Sequence, residues 1–186
     1  MSRTDIIEPA RPAKEDFKDI VESWQDMVYN TALGIVQNSE DAEDITQEVF
    51  ITVYEKLDDF REEALVSTWI YKITVHRALD HEKRKKRQKY GGLLKRIFSL
   101  KNEDEPVNFE HPGVQLDNKE KASVLFRSMK KLPDKQRLAF TLQKVEGLNN
   151  REIASIMDTT VQAVESLLAR ARGNLKTILK DYYKQL

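Results

Sequence analysis

Apolar residues recur every three to four positions along almost the whole of this chain, and that spacing leaves room for little but helices. Phe17, Ile20, Val21, Trp24, Val28, Ala32 and Ile35 form one stripe. Ala42, Ile45, Val49, Val53 and Leu57 form a second. Ser39 is its expected N-cap, with Glu40, Asp41 and Glu43 in the first turn, where carboxylates favour the helix dipole. The period lapses from Asp58 to Val66, and a loop is expected there. Ser67 is placed to cap a third helix that carries Trp69, Ile70, Ile73 and Leu79 and ends at Gly91 and Gly92. After a gap the stripes resume with Ala122, Leu125, Phe126, Met129 and Leu132. Pro133 suits the next helix start, followed by Leu138, Leu142 and Val145 and closed by Gly147. A short helix through Ile153, Ala154 and Met157 precedes a tight turn at Asp158, Thr159 and Thr160. A long final helix follows, through Val161, Val164, Leu168, Ala171, Leu175 and Ile178. Only 6 Gly and 5 Pro in 186 residues argue against a turn-rich β fold.

The gap divides the chain. Residues 91–117 hold Pro106, Pro112, Gly113 and the acidic cluster Glu103, Asp104 and Glu105, and have little periodicity. They read as a flexible linker with one apolar patch at 93–100. The expected architecture is all-α: a helical domain over residues 14–90, the linker, and a second helical domain over 118–186.

Charge is segregated as sharply as hydropathy. Lys plus Arg and Asp plus Glu both total 31, yet residues 40–71 carry a net −8 and residues 72–101 a net +9. Asymmetry of this kind points to different partners for different segments. There are no cysteines, which excludes a disulfide scaffold, a thiol nucleophile and a Cys-ligated zinc site. No apolar run approaches the roughly 18–20 residues of a membrane span, and Met1 to Pro9 lacks the apolar core of a secretory signal. A cytoplasmic protein without membrane insertion is expected. His76, His81 and His111 are scattered, and no Glu-x-x-His pair is present, so neither a metal nor another cofactor is expected.

Residues 150–172 have the proportions of a helix-turn-helix. Ala154 is small where two helices must cross closely. Val161, Val164 and Leu168 face inward, and Gln162, Ala163, Glu165, Ser166, Ala169 and Arg170 are left outside, where the second helix of such a motif meets base edges in the major groove. Further upstream, Ser67, Thr68, Trp69, Ile70, Tyr71, Lys72, His76, Arg77, Asp80, His81, Arg84 and Lys85 interleave aromatics, hydroxyls and cations. Aromatic faces stack on unpaired bases while cations track the backbone. Ile70 and Ile73 fit a plain core role better. Lys83 to Lys89, six cations in seven residues, points to a polyanion contact.

These segments resemble a known family. Asp41-Ala42-Glu43-Asp44-Ile45-Thr46-Gln47-Glu48-Val49-Phe50 is similar to a conserved segment of bacterial RNA polymerase sigma factors of the extracytoplasmic-function group, within the sigma-70 family. Ser67-Thr68-Trp69-Ile70-Tyr71-Lys72-Ile73 and Leu79-Asp80 resemble the segments that follow it in region two. Leu132-Pro133, Gln136-Arg137, Glu152-Ile153-Ala154 and Ala163 to Ala171 resemble region four. The likeness runs over about residues 17–90 and 120–180, in order.

The resemblance implies a dissociable promoter-specificity subunit without catalysis of its own. Asp41, Asp44, Gln47, Glu48 and Phe50 would dock on the clamp of the largest subunit of core RNA polymerase. Ser67, Thr68, Trp69, Lys72, His76, Arg77, Asp80, Arg84 and Lys85 would melt the minus-ten element and hold its single strand. Thr160, Gln162, Ala163, Glu165, Ser166, Ala169 and Arg170 would read the minus-thirty-five element as duplex. An anti-sigma factor is a further implied partner. Four residues depart from the family's habit. His76 stands where Asn is common, Asp158 where a turn Gly is frequent, and Glu165 and Leu167 where cations are frequent. Asp tolerates the left-handed conformation such a turn needs. Glu at 165 repels phosphate but accepts a hydrogen bond from a cytosine amino group. The alternative, a free-standing helix-turn-helix regulator, leaves residues 41–50 and 67–87 without a role.

Overall fold

The computed structural model describes residues 17–60, 65–91 and 119–184. The 93–100 patch, most of the expected linker and His111 lie outside them. Every regular element among the described residues is helical: α1 (Phe17–Val36), α2 (Ser39–Lys56), a 3-10 turn (Leu57–Asp59), α3 (Val66–Gly91), α4 (Lys119–Lys130), α5 (Asp134–Lys144), α6 (Asn150–Ile156) and α7 (Val161–Lys184). No helix among them is long and apolar enough to cross a membrane.

The stripes become the core. Ile20, Val28, Ala32 and Ile35 of α1 meet Ala42, Ile45, Val49 and Val53 of α2, and Ile70, Val75 and Ala78 of α3 complete a three-helix unit. Ile35, Ile45, Ile70, Val49 and Val53 are essentially inaccessible to water. Each such side chain contributes about 1.5–3 kcal/mol by its burial. In the second unit α7 packs on α4, α5 and α6. There Leu142, Ile153, Val164 and Leu168 lie inside, and Met129, Leu132, Phe140, Ala171 and Leu175 make a satellite cluster.

Helix ends differ from expectation in detail. Asn38, not Ser39, caps α2: its extended backbone (φ −147°) lets the side chain accept from the Asp41 N–H at 2.8 Å, while Ser39 is already helical. α3 starts at Val66, so Ser67 lies inside its first turn, and the Leu65 carbonyl accepts the first amide, from Trp69. Pro133 sits one residue before α5 as its cap. Two stripes are slightly misaligned with the sequence pattern. Leu125 is exposed and Val124 turns inward instead. Val145, at the end of α5, is exposed because the helix stops there.

Gln37 and Asp158 both end helices in the left-handed region, at φ 58° and 47°. At Asp158 the reversal lets the Thr159 N–H return to the Ala154 carbonyl at 3.0 Å, which closes the turn between α6 and α7 in the Schellman manner. Asp thus does the work of the turn glycine.

The two units are packed together. α1 lies on α5 and α3 lies on α6, and one continuous apolar core includes side chains of both, from Leu33 and Ile70 to Leu138, Leu142 and Ile153. Sequence spacing foretold two helical domains; it carried no sign that they close on each other.

Candidate nucleic-acid interface

Helix α3 is 26 residues long, about 39 Å at 1.5 Å per residue, and presents three working faces. One faces the acidic helix α2. There Asp41 accepts from Lys85 and lies 3.2 Å from His81 Nε2, and Glu48 lies 3.8 Å from Arg84 and 4.0 Å from Arg77. Arg77 also donates to the Thr52 hydroxyl at 2.8 Å. Folding therefore sets part of the −8 block against part of the +9 block. Asp41 and Glu48 are half-buried in this ladder. Glu40, Glu43, Asp44 and Gln47 remain exposed on the other side of α2.

Phe50, expected beside them as a docking residue, is instead buried in the core, 8% exposed, because it continues the inward face past Val49. Ile51 occupies the outer position and is 59% exposed. The sequence held a signal for it: Ile51 falls three to four residues after Gln47 and Glu48, an apolar residue on a polar face.

A second face of α3 points outward. Trp69, His76, Asp80 and Lys83 follow one another at helical spacing along it, with Lys72 at its border with the second unit. Trp69 is half-buried, its ring 4.9 Å from that of Phe60, with Ser67 and Thr68 half-buried beside it in the first turn. His76 Nδ1 lies 3.4 Å from Asp80. The hydrogen bond from Lys83 holds the Asp80 carboxyl below the usual carboxylate range, helped by the charges of His76, Lys83 and Arg84. Of the minus-ten candidates, the structure gathers Trp69, His76 and Asp80 into this stripe and sets Lys72 at its border. It turns Arg77, Arg84 and Lys85 to α2.

The third face meets the second unit. Tyr71 is buried and donates to Glu146 at 3.0 Å. Burial pushes the Glu146 carboxyl up, opposed by the hydrogen bond from the Tyr71 hydroxyl. Burial, then the Glu146 charge, pushes the Tyr71 phenol up as well. Lys72 Nζ reaches Asp158 at 2.8 Å, Lys86 reaches Asp134 at 2.7 Å, and Glu82 pairs at 3.4 Å with Arg137, whose side chain is nearly inaccessible.

The helix-turn-helix is formed by α6 and α7. Asn149 and Glu152 make a reciprocal capping box at the start of α6, and the Thr160 hydroxyl accepts from the Ala163 N–H at 3.2 Å to cap α7. Ala154, Val164 and Leu168 are buried where the helices cross. Gln162, Glu165, Ser166, Ala169 and Arg170 are exposed, Ala163 half-buried, and all lie on the outer side of α7. The early turns of α7 are thus available to a groove, as a recognition helix requires. Leu167 packs against the core and takes no part in that face.

The two units, one carrying the α3 stripe and the other a helix-turn-helix, correspond in order to the two conserved regions of a transcription-initiation protein of the sigma class. The Sigma-70 region 2 family model matches residues 20–88 and the Sigma-70 region 4 model residues 124–175. The chain belongs to the sigma-70 family, as an alternative sigma factor of the extracytoplasmic-function group. It is 34% identical over 143 residues to the ECF RNA polymerase sigma-E factor of Escherichia coli K12, covering 72% of this chain and 71% of that protein. It is 30% identical over 173 residues to the ECF sigma factor SigW of Bacillus subtilis, covering 90% and 91%. Its fold is similar to that of the sigma factor RpoE of Bartonella quintana, solved with the anti-sigma factor NepR: TM-score 0.66, 20% identity, 89% of this chain and 98% of that one. It is also similar to CnrH, solved with the cytosolic domain of CnrY, at TM-score 0.64, 19% identity, and 91% and 90% coverage.

Proposed function

We propose that this sigma factor acts in the cytoplasm, without catalysis of its own, by docking on core RNA polymerase and carrying it to promoters with two spaced elements. The exposed strip of α2 formed by Asp44, Gln47 and Ile51 docks on the polymerase clamp. Three of its features favour a protein partner: an unpaired carboxylate, an amide and an exposed aliphatic side chain in line. Asp41 and Glu48 contribute by holding α3 in place through its cations. The α3 stripe takes the melted minus-ten strand, with Trp69 offering a stacking face and Lys72 a phosphate contact. The outer side of α7 reads the minus-thirty-five duplex, where Glu165 favours cytosine through its exocyclic amine. An anti-sigma factor, as in the complexes of its structural relatives, is the expected regulator. The observation that carries this reading is the pairing, in one chain, of an outward α3 stripe with an outward recognition helix.

In vitro transcription with core polymerase on a genomic fragment library tests it. Start sites that depend on the protein and share two upstream elements are the expected result. Asp44→Arg is expected to abolish them by loss of polymerase binding while leaving thermal stability within about 0.5 kcal/mol, since Asp44 is an exposed site. Tight, sequence-specific duplex binding by the protein alone, with no stimulated starts, overturns the reading in favour of a free-standing regulator.

A further inference from the structure

Two faces of α3 are spent inside the molecule. One meets α2. The other meets the seam between the two units, where the Thr141 hydroxyl lies 3.4 Å from the Gly34 carbonyl and Tyr71 donates to Glu146. The outward face is left for a partner, and its middle holds a pair of groups with a defined geometry. His76 is the most open side chain of that stripe, 76% exposed. Its Nδ1 lies 3.4 Å from Asp80 Oδ2, one turn further on. Asp80 Oδ1 accepts from Lys83 at 3.2 Å. The carboxylate is thus held between the residues four before and three after it, and each oxygen has its own partner. The hydrogen bond from Lys83 and the neighbouring charges keep it ionised.

A neutral imidazole carries one N–H and one lone pair, and its surroundings decide which nitrogen holds the proton. An ionised carboxylate can only accept. Asp80 therefore draws the ring proton of His76 to Nδ1 and leaves a lone pair on Nε2, at the far edge of the ring. The nitrogen that His76 offers to the outside is then an acceptor alone. Nucleobases divide on that point. Adenine and cytosine carry an amino group, at N6 and N4, where guanine and thymine carry a carbonyl oxygen, at O6 and O4. An acceptor pairs with the first two and meets another acceptor in the last two. The spacing suits a strand that follows this helix. His76 lies seven residues beyond Trp69, about 10.5 Å at 1.5 Å per residue, or about three bases at 3.4 Å each.

We propose that His76 is a specificity-determining residue of the minus-ten contact: Asp80 fixes its tautomer, and its Nε2 selects an amino base, adenine or cytosine, about three nucleotides from the base stacked on Trp69. The proposal rests on the reading of α3 as the minus-ten surface and is tested so that the two can fail separately. Transcription with core polymerase at about pH 8, from templates randomised across the minus-ten element, gives the base preference at each position. The wild-type chain is expected to favour A and C over G and T about 5–10-fold at one position, the low end of what a good base contact is worth. Trp69→Ala marks the position on which that ring stacks. His76→Ala flattens the amino-base position and no other. Asp80→Asn puts an amide beside the ring that donates as well as accepts, so the proton can sit on either nitrogen and G and T are let back in there. A template carrying purine, adenine without its amino group, at that position costs the wild-type chain the same fold and costs His76→Ala nothing further. His76 is a surface site, so its alanine variant keeps its helical circular dichroism. A flat wild-type profile, a preference for G or T, or an amino-base preference that survives His76→Ala overturns the assignment, and in each case protein-dependent starts leave the minus-ten reading standing. A preference lost in His76→Ala but kept in Asp80→Asn overturns the fixing of the tautomer. Absence of starts from every chain, wild type included, overturns the minus-ten reading and the role of His76 with it.

Discussion

At the scale of single residues, the seam turns on Glu146. Its carboxyl is largely buried, one oxygen accepts from Tyr71 and the other has no partner. Its acidity is weakened in the folded state, chiefly by burial. A carboxyl whose folded pKa lies above the unfolded value supports the fold most below the ordinary glutamate range, and that support is lost as pH rises through the raised value. Glu146→Gln keeps an acceptor for Tyr71 and removes the buried charge. Its expected effect is a gain of about 1 kcal/mol at pH 7.5, or about 2–4 °C in melting temperature for a chain of this size, and none at pH 4. Melting followed at the two pH values checks it, and equal shifts at both would assign the gain to something other than charge. Asp158 illustrates the same scale from sequence. A short polar side chain was enough to anticipate a left-handed turn, and φ is 47°.

At the scale of elements, the caps decide where each helix begins. The box formed by Asn149 and Glu152 fixes α6, only seven residues long, on which the helix-turn-helix depends. Asn149→Ala is expected to cost about 1 kcal/mol and to weaken minus-thirty-five binding more than core-polymerase binding; urea unfolding and a duplex-binding titration measure the two. The helices themselves were legible because buried residues recur at 3–4 residue spacing, as at Ile20, Val28 and Ile35. The cap of α2 falls one position before the one its sequence suggests, at Asn38 rather than Ser39, because both residues can cap and only the backbone angles choose between them. The candidate site was half legible. Composition marked α3 as basic and aromatic, but not which cations face outward. Arg77, Arg84 and Lys85 turn to Glu48, Thr52 and Asp41, and no local pattern states that, since the partners lie 25 to 44 residues away.

At the scale of the whole molecule, the continuous core means that the units do not melt independently. A single calorimetric transition is expected for the wild-type chain, with calorimetric and van't Hoff enthalpies equal; two resolved transitions would show that the seam couples the units too weakly to matter. Nothing in the sequence foretold this, because the residues that make the seam are far apart along the chain. Gly34 and Thr141 are separated by 107 positions and Tyr71 and Glu146 by 75, and no local pattern pairs them. The three faces of α3 have a consequence for how such a chain changes over generations. A substitution at Arg77 disturbs α2, one at Tyr71 disturbs the turn after α5, and one at His76 reaches only Asp80 and what lies outside. The inner faces can therefore drift only when a distant position drifts in step. In a lineage of such chains, paired change between 77 and 48, or between 71 and 146, is the record that the helix has answered to several neighbours at once.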